Sequence, residues 1–375
     1  MADRYAHEIE EMGNTEFRVS GPGVRGNGYV EQVEVPRMSA VDEVAMVDDL
    51  GIEFDTEVET QILNEVEEAN LSPTIEDIVR DDGVLGDRGL FTWKWEWYIF
   101  GEPLTLDCVA DEYRQAAQEA KTLMGIYITL VDDVGEKLGD EATFWELAKT
   151  AYPGIEPDWE REDIDSDYAD GIQRVWEQLL DQIRSAPRFD EFVDVLLFNL
   201  RQTIQSMDYA RVSADDTALM NPEEVWYYDT QAIGLFVTWT VDLMYSPEFD
   251  TDDFRTFRRL VYELQHMWRL GNWIITWERE VYEQDYSAGI FVEAINQGIV
   301  DETDLERLER GEIAPERLIG RIEVSGIVEQ FIAHWQRRRD RLYEQDFGMA
   351  SLDSDELVAQ MEWLMQSHLA TEGRR

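Results

Sequence analysis

Downstream of residue 108, apolar residues recur at i, i+3 and i+4 along nearly every long segment, and strand signals are scarce. That period puts one apolar stripe on each helix, so a chain patterned this way must bury helix against helix. The spacing predicts helices over 108–138, 140–150, 168–184, 188–209, 222–245, 252–285, 287–298, 301–309, 315–344 and 354–371. Two starts are signalled by their own chemistry. Asn221 stands before Pro222, Glu223 and Glu224, an N-cap followed by a first-turn proline and acids against the helix dipole. Thr303 and Glu306 have capping-box spacing. No solenoid-period repeat or low-complexity tract is present. The expected fold class is all-α, a bundle of helices longer than average.

The ends of the chain read differently. Residues 1 to 40 are irregular and Gly-rich (GPGVRGNG, 21–28), which predicts an extended arm, and 39–70 is acidic and helical in pattern. LSP (71–73) and DDGVLGDRG (81–89) are turn-rich. They divide the chain into an acidic, partly irregular segment, 1–85, and a helical domain, 86–375.

Charge narrows the function. The chain has 82 Asp and Glu against 32 Lys and Arg, a net charge of −50 in 375 residues. Nucleic acid is excluded as a partner, because phosphate backbones demand basic patches. Docking on anionic lipid is excluded for the same reason. Only Lys94, Lys121, Lys137 and Lys149 are lysines. A very acidic, Lys-poor surface on an ordinary apolar core resembles that of salt-accumulating halophiles. At molar salt the Debye length falls to about 3 Å and screens such self-repulsion. The chain is therefore expected to lose structure in dilute buffer. Cys108 is the only cysteine, so no intrachain disulfide or cysteine zinc site is available, and the four His (7, 266, 334 and 368) form no close pair. The start is polar and acidic rather than signal-like. LMGIYITLV (123–131), among the longest apolar runs, is too short to span a bilayer. A cytoplasmic location without a membrane span is expected.

Two constellations can carry chemistry. In ITLVDDVGEKLGD (128–140), Asp132 and Glu136 share a helix face with Asp133 beside them, at the end of an apolar helix. Three carboxylates there can hold hard divalent cations through oxygen. In a chain this acidic a D-D-x-x-E string also arises by chance. In RLGNWIITWEREVYEQD (269–285), Asn272, Thr276 and Glu280 fall at i, i+4 and i+8, a stripe drifting about 80°. An amide oxygen, a hydroxyl and a carboxylate make a compact oxygen site suited to Mg²⁺. Arg279 and Arg269 adjoin it, and cations beside a metal site suit an anionic ligand such as phosphate. The alternative is a helix whose few polar core groups bond each other. The aromatic stretch GLFTWKWEWYIFGEP (89–103) reads either as a buried packing block or as one wall of an apolar pocket. Two metal-binding clusters facing each other over an apolar cavity suit a ligand with a polyanionic head and an apolar tail, a prenyl diphosphate.

The pair of motifs resembles the signature of class I terpene synthases, an Asp-rich DDxxD/E motif and a downstream N-D-x-x-S/T-x-x-x-E motif. VDDVGEKLGDEATFWELAK (131–149) resembles the family's Asp-rich helix, and RLGNWIITWEREVYEQDYSAGIFVEAI (269–295) its second metal-binding helix. MEWLMQSHLATEGRR (361–375) is similar to the helix ending in the family's Arg-Tyr pair, with Arg374 in the Arg place. The resemblance covers about residues 86–375. Trp273 replaces the family's second-position Asp, and Arg375 its Tyr. NPEEVWYYDTQAIG (221–234) lacks the Arg that senses diphosphate in the family, with Asp229 near its place. Arg211 or Arg269 is the substitute.

The resemblance implies a helical bundle around a central apolar cavity. It implies Mg²⁺ held by Asp132, Asp133 and Glu136 and by Asn272, Thr276 and Glu280, about three ions with diphosphate bound. Arg279, Arg374, Lys137 and Arg269 would neutralise the leaving group. Trp226, Tyr227, Phe236, Trp239 and Trp277, with the 93–98 cluster, would face the allylic cation, each aromatic face worth roughly 0.5–2 kcal/mol. For any one of them core packing is the alternative. No organic cofactor is implied; a homodimer is one assembly that the sequence allows, without setting the oligomeric state. The leading function is cyclisation of farnesyl or geranylgeranyl diphosphate. The alternatives are another prenyl-diphosphate enzyme, such as a condensing prenyltransferase, and a non-catalytic isoprenoid-diphosphate-binding protein.

Overall fold

The computed structural model describes residues 50–52, 54–80, 88–215 and 217–371. The N-terminal arm, the expected boundary at 85/86, Arg374 and Arg375 lie outside the described residues. Among the described residues every regular element is helical, which makes the fold all-α.

Among the described residues fifteen α-helices run in order. They are α1 (Thr56–Glu68), α2 (Pro73–Val79), α3 (Leu90–Ile99), α4 (Arg114–Glu136), α5 (Glu141–Ala148), α6 (Ser166–Arg184), α7 (Phe189–Asp215) and α8 (Pro222–Tyr228). After them come α9 (Leu235–Met244), α10 (Phe254–Glu283), α11 (Gly289–Asn296), α12 (Glu302–Glu309), α13 (Pro315–Glu323), α14 (Ile327–Glu344) and α15 (Ser354–Ala370). α4 packs against α6 and α7, and α10 against α14 and α15. α9 packs against both α4 and α10, so it ties together the two helices that carry the motifs. α10, with 30 residues, is about 45 Å long.

The cap at Asn221 forms as expected, its Oδ1 accepting from the Glu224 amide at 2.9 Å. The capping box of α12 is shifted: Asp301 and Asp304 make the reciprocal bonds, not Thr303 and Glu306. Two helices predicted as continuous are broken. The 222–245 stretch divides at a 3₁₀ turn, Asp229–Gln231, and at Gly234, which takes φ 69°. The 315–344 stretch divides at Gly326, with φ 80°. A left-handed residue cannot continue a right-handed helix, and an apolar period runs through such a break unaltered. The aromatic stretch forms α3, which buries Trp93, Trp95 and Trp97. Trp95 Nε1 donates to Ser367 Oγ of α15 at 2.9 Å.

One buried ion pair fastens α4 to α9. Lys121 Nζ donates to Leu104 O at 3.1 Å, to Thr105 Oγ1 at 2.9 Å and to Asp242 Oδ2 at 3.1 Å. Asp242 also accepts from the Leu106 amide at 3.0 Å. Both side chains are completely buried.

Candidate active site

The last turn of α4 and the last third of α10 meet through charge. Arg269 lies between them. Its guanidinium donates twice to Asp229, Nε to Oδ2 and Nη2 to Oδ1, both at 2.6 Å, and its Nη1 donates to Asn272 Oδ1 at 2.7 Å. Asp229 is buried on the turn after α8 and takes a further hydrogen bond from Trp273 Nε1 at 3.0 Å. The turn that interrupts the predicted 222–245 helix therefore delivers the counter-ion of Arg269. The Asp229, Glu280 and Glu136 carboxylates together hold Arg269 firmly charged in spite of burial.

On α10 the polar stripe closes on itself. Thr276 Oγ1 lies 2.7 Å from Glu280 Oε1 and 2.8 Å from Asn272 O. Glu280 is buried, and among the described residues its Oε2 has no hydrogen-bond partner. Burial, together with the nearby Asp285 carboxylate, pushes Glu280 up to about 7. Asp285 arrives there because Gln284 closes α10 in the left-handed region, φ 59°, and the Asp285 amide returns to Glu280 O at 2.9 Å.

At the end of α4 the three predicted carboxylates differ. Asp133 is taken. Arg88 donates to it twice, at 2.7 and 2.8 Å, and Lys137 lies 2.9 Å away. These cations outweigh burial and hold Asp133 below its usual value. Among the described residues Asp132 and Glu136 have no such hydrogen-bonded partners. Burial and the adjacent Asp133 push Asp132 up to about 7. Glu136 is solvent-accessible, yet it stands well above its usual value, through loss of surrounding water and then the carboxylates of Asp132, Asp285 and Asp229. This acidic cluster, called the acidic cleft below, thus gathers Asp132, Glu136, Asp229, Glu280 and Asp285 about Arg269, with Arg88 and Lys137 also acting on Asp132 and Arg279 on Glu280.

That surplus of carboxylate fits a cation. An unpartnered buried carboxylate oxygen in a like-charged cleft is costly without one. Among the described residues, no three His, Cys, Asp or Glu side chains form a ready-made metal cage. Mg²⁺ commonly takes one or two protein carboxylates and completes its shell with water and phosphate oxygens. Asp132 and Glu136 on one side, and Asn272, Thr276 and Glu280 on the other, are the oxygen donors of this chain that suit it.

The remaining candidates are dispersed. Arg279 is not among them: it lies 3.5 Å from Glu283 and its charge acts on Glu280, so it stays with the acidic cluster. Arg211 is paired with Asp208 at 2.8 Å, away from this cluster of contacts. The five aromatic candidates do not share one cavity. Trp226 lines a space of about 210 Å³ with Phe331, His334 and Arg337. Tyr227 is 65% exposed. Phe236 lines a different cavity, with Arg258. Trp239 and Trp277 are buried in the core, and Trp239 Nε1 donates to Leu104 O at 3.1 Å. Two residues of the cleft carry little signal in sequence. Arg88 is a single cation in an acidic turn, and Asp285 sits just beyond the helical stripe. Their proximity depends on how loops return.

No family model matches this sequence, and no curated protein matches it. Among solved structures the chain is similar to isoprene synthase from grey poplar leaves (Populus x canescens), at 10% identity and a TM-score of 0.48, over 87% of this chain and 55% of that one. This chain therefore spans about half the length of that synthase. It is also similar to aristolochene synthase from Penicillium roqueforti, at 13% identity and a TM-score of 0.41, over 86% of this chain and 97% of that one. At such identities the likeness concerns the course of the helices and assigns no activity. Among the described residues no helix is long and apolar enough to cross a membrane.

Proposed function

We propose that this chain is a Mg²⁺-dependent class I terpene synthase that ionises farnesyl or geranylgeranyl diphosphate and cyclises the resulting cation. The observation that carries the reading is the meeting of two oxygen-donor groups, 140 residues apart in sequence, around Arg269. The carboxylate surplus opposite Arg269 is what a diphosphate head with its divalent cations would neutralise.

The chain's own residues divide the work. Asp229 and Trp273 fix the Arg269 guanidinium, so its position does not depend on ligand. Arg269 is the cation in place to take negative charge as the C–O bond breaks and diphosphate leaves with the electron pair. It stands in for the sensor Arg absent from 221–234, with the charges exchanged: the acid comes from the turn and the guanidinium from the long helix. Thr276 orients Glu280 by its hydrogen bond. Mg²⁺ bound by Asp132, Glu136, Asn272, Thr276 and Glu280 would supply Lewis-acid stabilisation of the leaving diphosphate. The cation left behind loses a proton to diphosphate or water, so no protein base is required.

A second reading has its own support. Asp133 already holds two cations and Asn272 Oδ1 already accepts from Arg269, as in a protein that binds an isoprenoid diphosphate without turning it over. One assay separates the readings. Protein in molar KCl with Mg²⁺ is given geranyl, farnesyl and geranylgeranyl diphosphate in turn, and diphosphate release and extractable hydrocarbon are followed. A cyclic product with released diphosphate is the expected outcome. Longer linear products that require isopentenyl diphosphate would assign a condensing prenyltransferase. Thermal stabilisation by diphosphate and Mg²⁺ without release would assign the binding protein.

A further inference from the structure

Away from the acidic cleft the electrostatics reverse. A cavity of about 620 Å³ opens between the start of α9, the first half of α10 and the end of α14. That volume is in the range of small-molecule sites. Arg258, Arg259 and Arg341 line it, with Glu263 as the carboxylate. Glu263 Oε2 is already shared, by Arg341 Nη2 at 3.2 Å and by Arg338 Nη1. Arg258 is half-buried, its guanidinium 4.7 Å from the Phe236 ring centre and 5.8 Å from that of Phe254. Among the described residues its one hydrogen bond goes to Asn199 Oδ1 at 3.2 Å. Arg259 has no hydrogen bond or ion pair among the described residues.

This is unusual for the chain. With 82 acids against 32 bases, a partly buried guanidinium readily finds a carboxylate, as Arg88 finds Asp133, Arg269 finds Asp229 and Arg321 finds Asp304. Here guanidiniums are gathered and left short of acid. Burial lowers the Arg258 pKa with no carboxylate to raise it again. Tyr262, 44% exposed, presents an aromatic ring to the same cavity, and Phe347 lines it too. Arg258 precedes Asn272 by 14 residues on one straight helix, about 21 Å, so this cavity is separate from the acidic cleft.

We propose that this cavity is a second binding site, for a small molecule combining several phosphoryl charges with a planar ring, the chemistry of a nucleoside polyphosphate. Arg258, Arg259 and Arg341 take the phosphoryl oxygens by charge-assisted hydrogen bonds, for which the guanidinium fork is suited. Tyr262 and Phe347 take the ring. The cavity is lined by nine residues drawn from three helices and the chain after α14, a span suited to a small molecule.

The test is a calorimetric titration of the full chain with ATP and, separately, with tripolyphosphate, which has the charge without the ring. EDTA is present, so that metal-dependent binding in the acidic cleft is silent. KCl is kept at the lowest concentration that preserves the full helical circular dichroism. One site per chain is expected, tighter for ATP. Arg259 and Arg341 are exposed, so the Arg259→Gln/Arg341→Gln variant should fold as the native chain does, with an unchanged melting temperature in the absence of ligand. It should bind both probes at least about tenfold more weakly, the worth of a lost charge-assisted hydrogen bond. Arg255→Gln/Arg317→Gln removes the same charge outside the cavity and should change affinity by less than about twofold. Absence of binding by both probes, or equal loss in the two double variants, overturns the proposal. Equal affinity for ATP and tripolyphosphate overturns the ring contact.

Discussion

α4 carries two charged clusters, and the two are built to opposite rules. About two turns into the helix Lys121 is closed off completely: its ammonium donates to three oxygens of this chain, and Asp242 answers its charge. In its last turn Asp132 and Glu136 crowd one another, and Glu136 also feels Asp285 and Asp229, with Arg269, Arg88 and Lys137 as the opposing cations. In the first cluster the two opposite charges lie 3.0 Å apart and answer each other. The second is stable only to the extent that something positive joins it. A buried carboxylate with a fixed partner holds a fold together; a surplus of carboxylate in a cleft marks a place for a mobile cation.

The contrast can be broken from either side. The largest effect belongs to the closed cluster. Lys121→Met leaves Asp242 buried without its charge and should cost about 3–5 kcal/mol in denaturant unfolding at molar KCl, whereas Lys121→Met with Asp242→Leu should recover most of that loss. A cost near zero for the single variant would show that Asp242 is not committed to Lys121.

Glu280→Gln is the counterpart at the open cluster. It should lower Mg²⁺-dependent turnover at least about hundredfold while leaving the metal-free melting temperature equal or higher, because it removes a like charge rather than a counter-ion. Loss of stability in step with activity would make Glu280 structural.

Glu146 sharpens the comparison through pH. It is buried, yet hydrogen bonds from Lys149, the Asp158 amide and Arg161 outweigh burial and hold it near 2, below its usual value of 4.5. A carboxylate whose pKa is depressed on folding contributes stability above the unfolded value and loses it as pH falls through the folded one. Stability should therefore decline as pH drops from 4.5 toward 2, and Glu146→Gln should flatten that slope at a cost of about 1–3 kcal/mol near neutrality. An unchanged acid limb in the variant would contradict this.

The smallest effect concerns the turn that brings Asp285 to Glu280. Gln284 is held at φ 59°, where glycine is at ease. Gln284→Gly should raise stability by about 0.5 kcal/mol with turnover unchanged. A loss of turnover would show that the Gln284 side chain, and not only the turn, serves the cleft.

Much of the architecture was legible before any coordinates. Apolar residues at helical spacing locate α4, α6, α7 and α10 because the core stripe of a long helix is written in its own residues, although the pattern from 108 runs ahead of α4, which begins at Arg114 after a 3₁₀ turn. The breaks at Gly234 and Gly326 were not legible, because an apolar period continues across a left-handed residue. α3 is not legible for a different reason: an aromatic segment buried on almost every side has no polar face to reveal its period. In the cleft, Asn272, Thr276 and Glu280 could be placed on one stripe because four-residue spacing is a property of the helix itself. Arg88 and Asp285 could not be placed, since each reaches the cleft through a loop. The aromatic candidates divided among core, surface and two separate cavities, since a tryptophan is apolar in sequence whichever of these it occupies.

Local periodicity and capping chemistry, both readable within a few turns of chain, determined that this protein is all-α and which residues share a helical face. Pairing across long separations was decided only by tertiary structure. Asp133 was matched to Arg88, Lys121 to Asp242 and Arg269 to Asp229 by the packing of α4, α9 and α10 and by the turns between them. Charges act through space, and only the fold sets the distances across which they act.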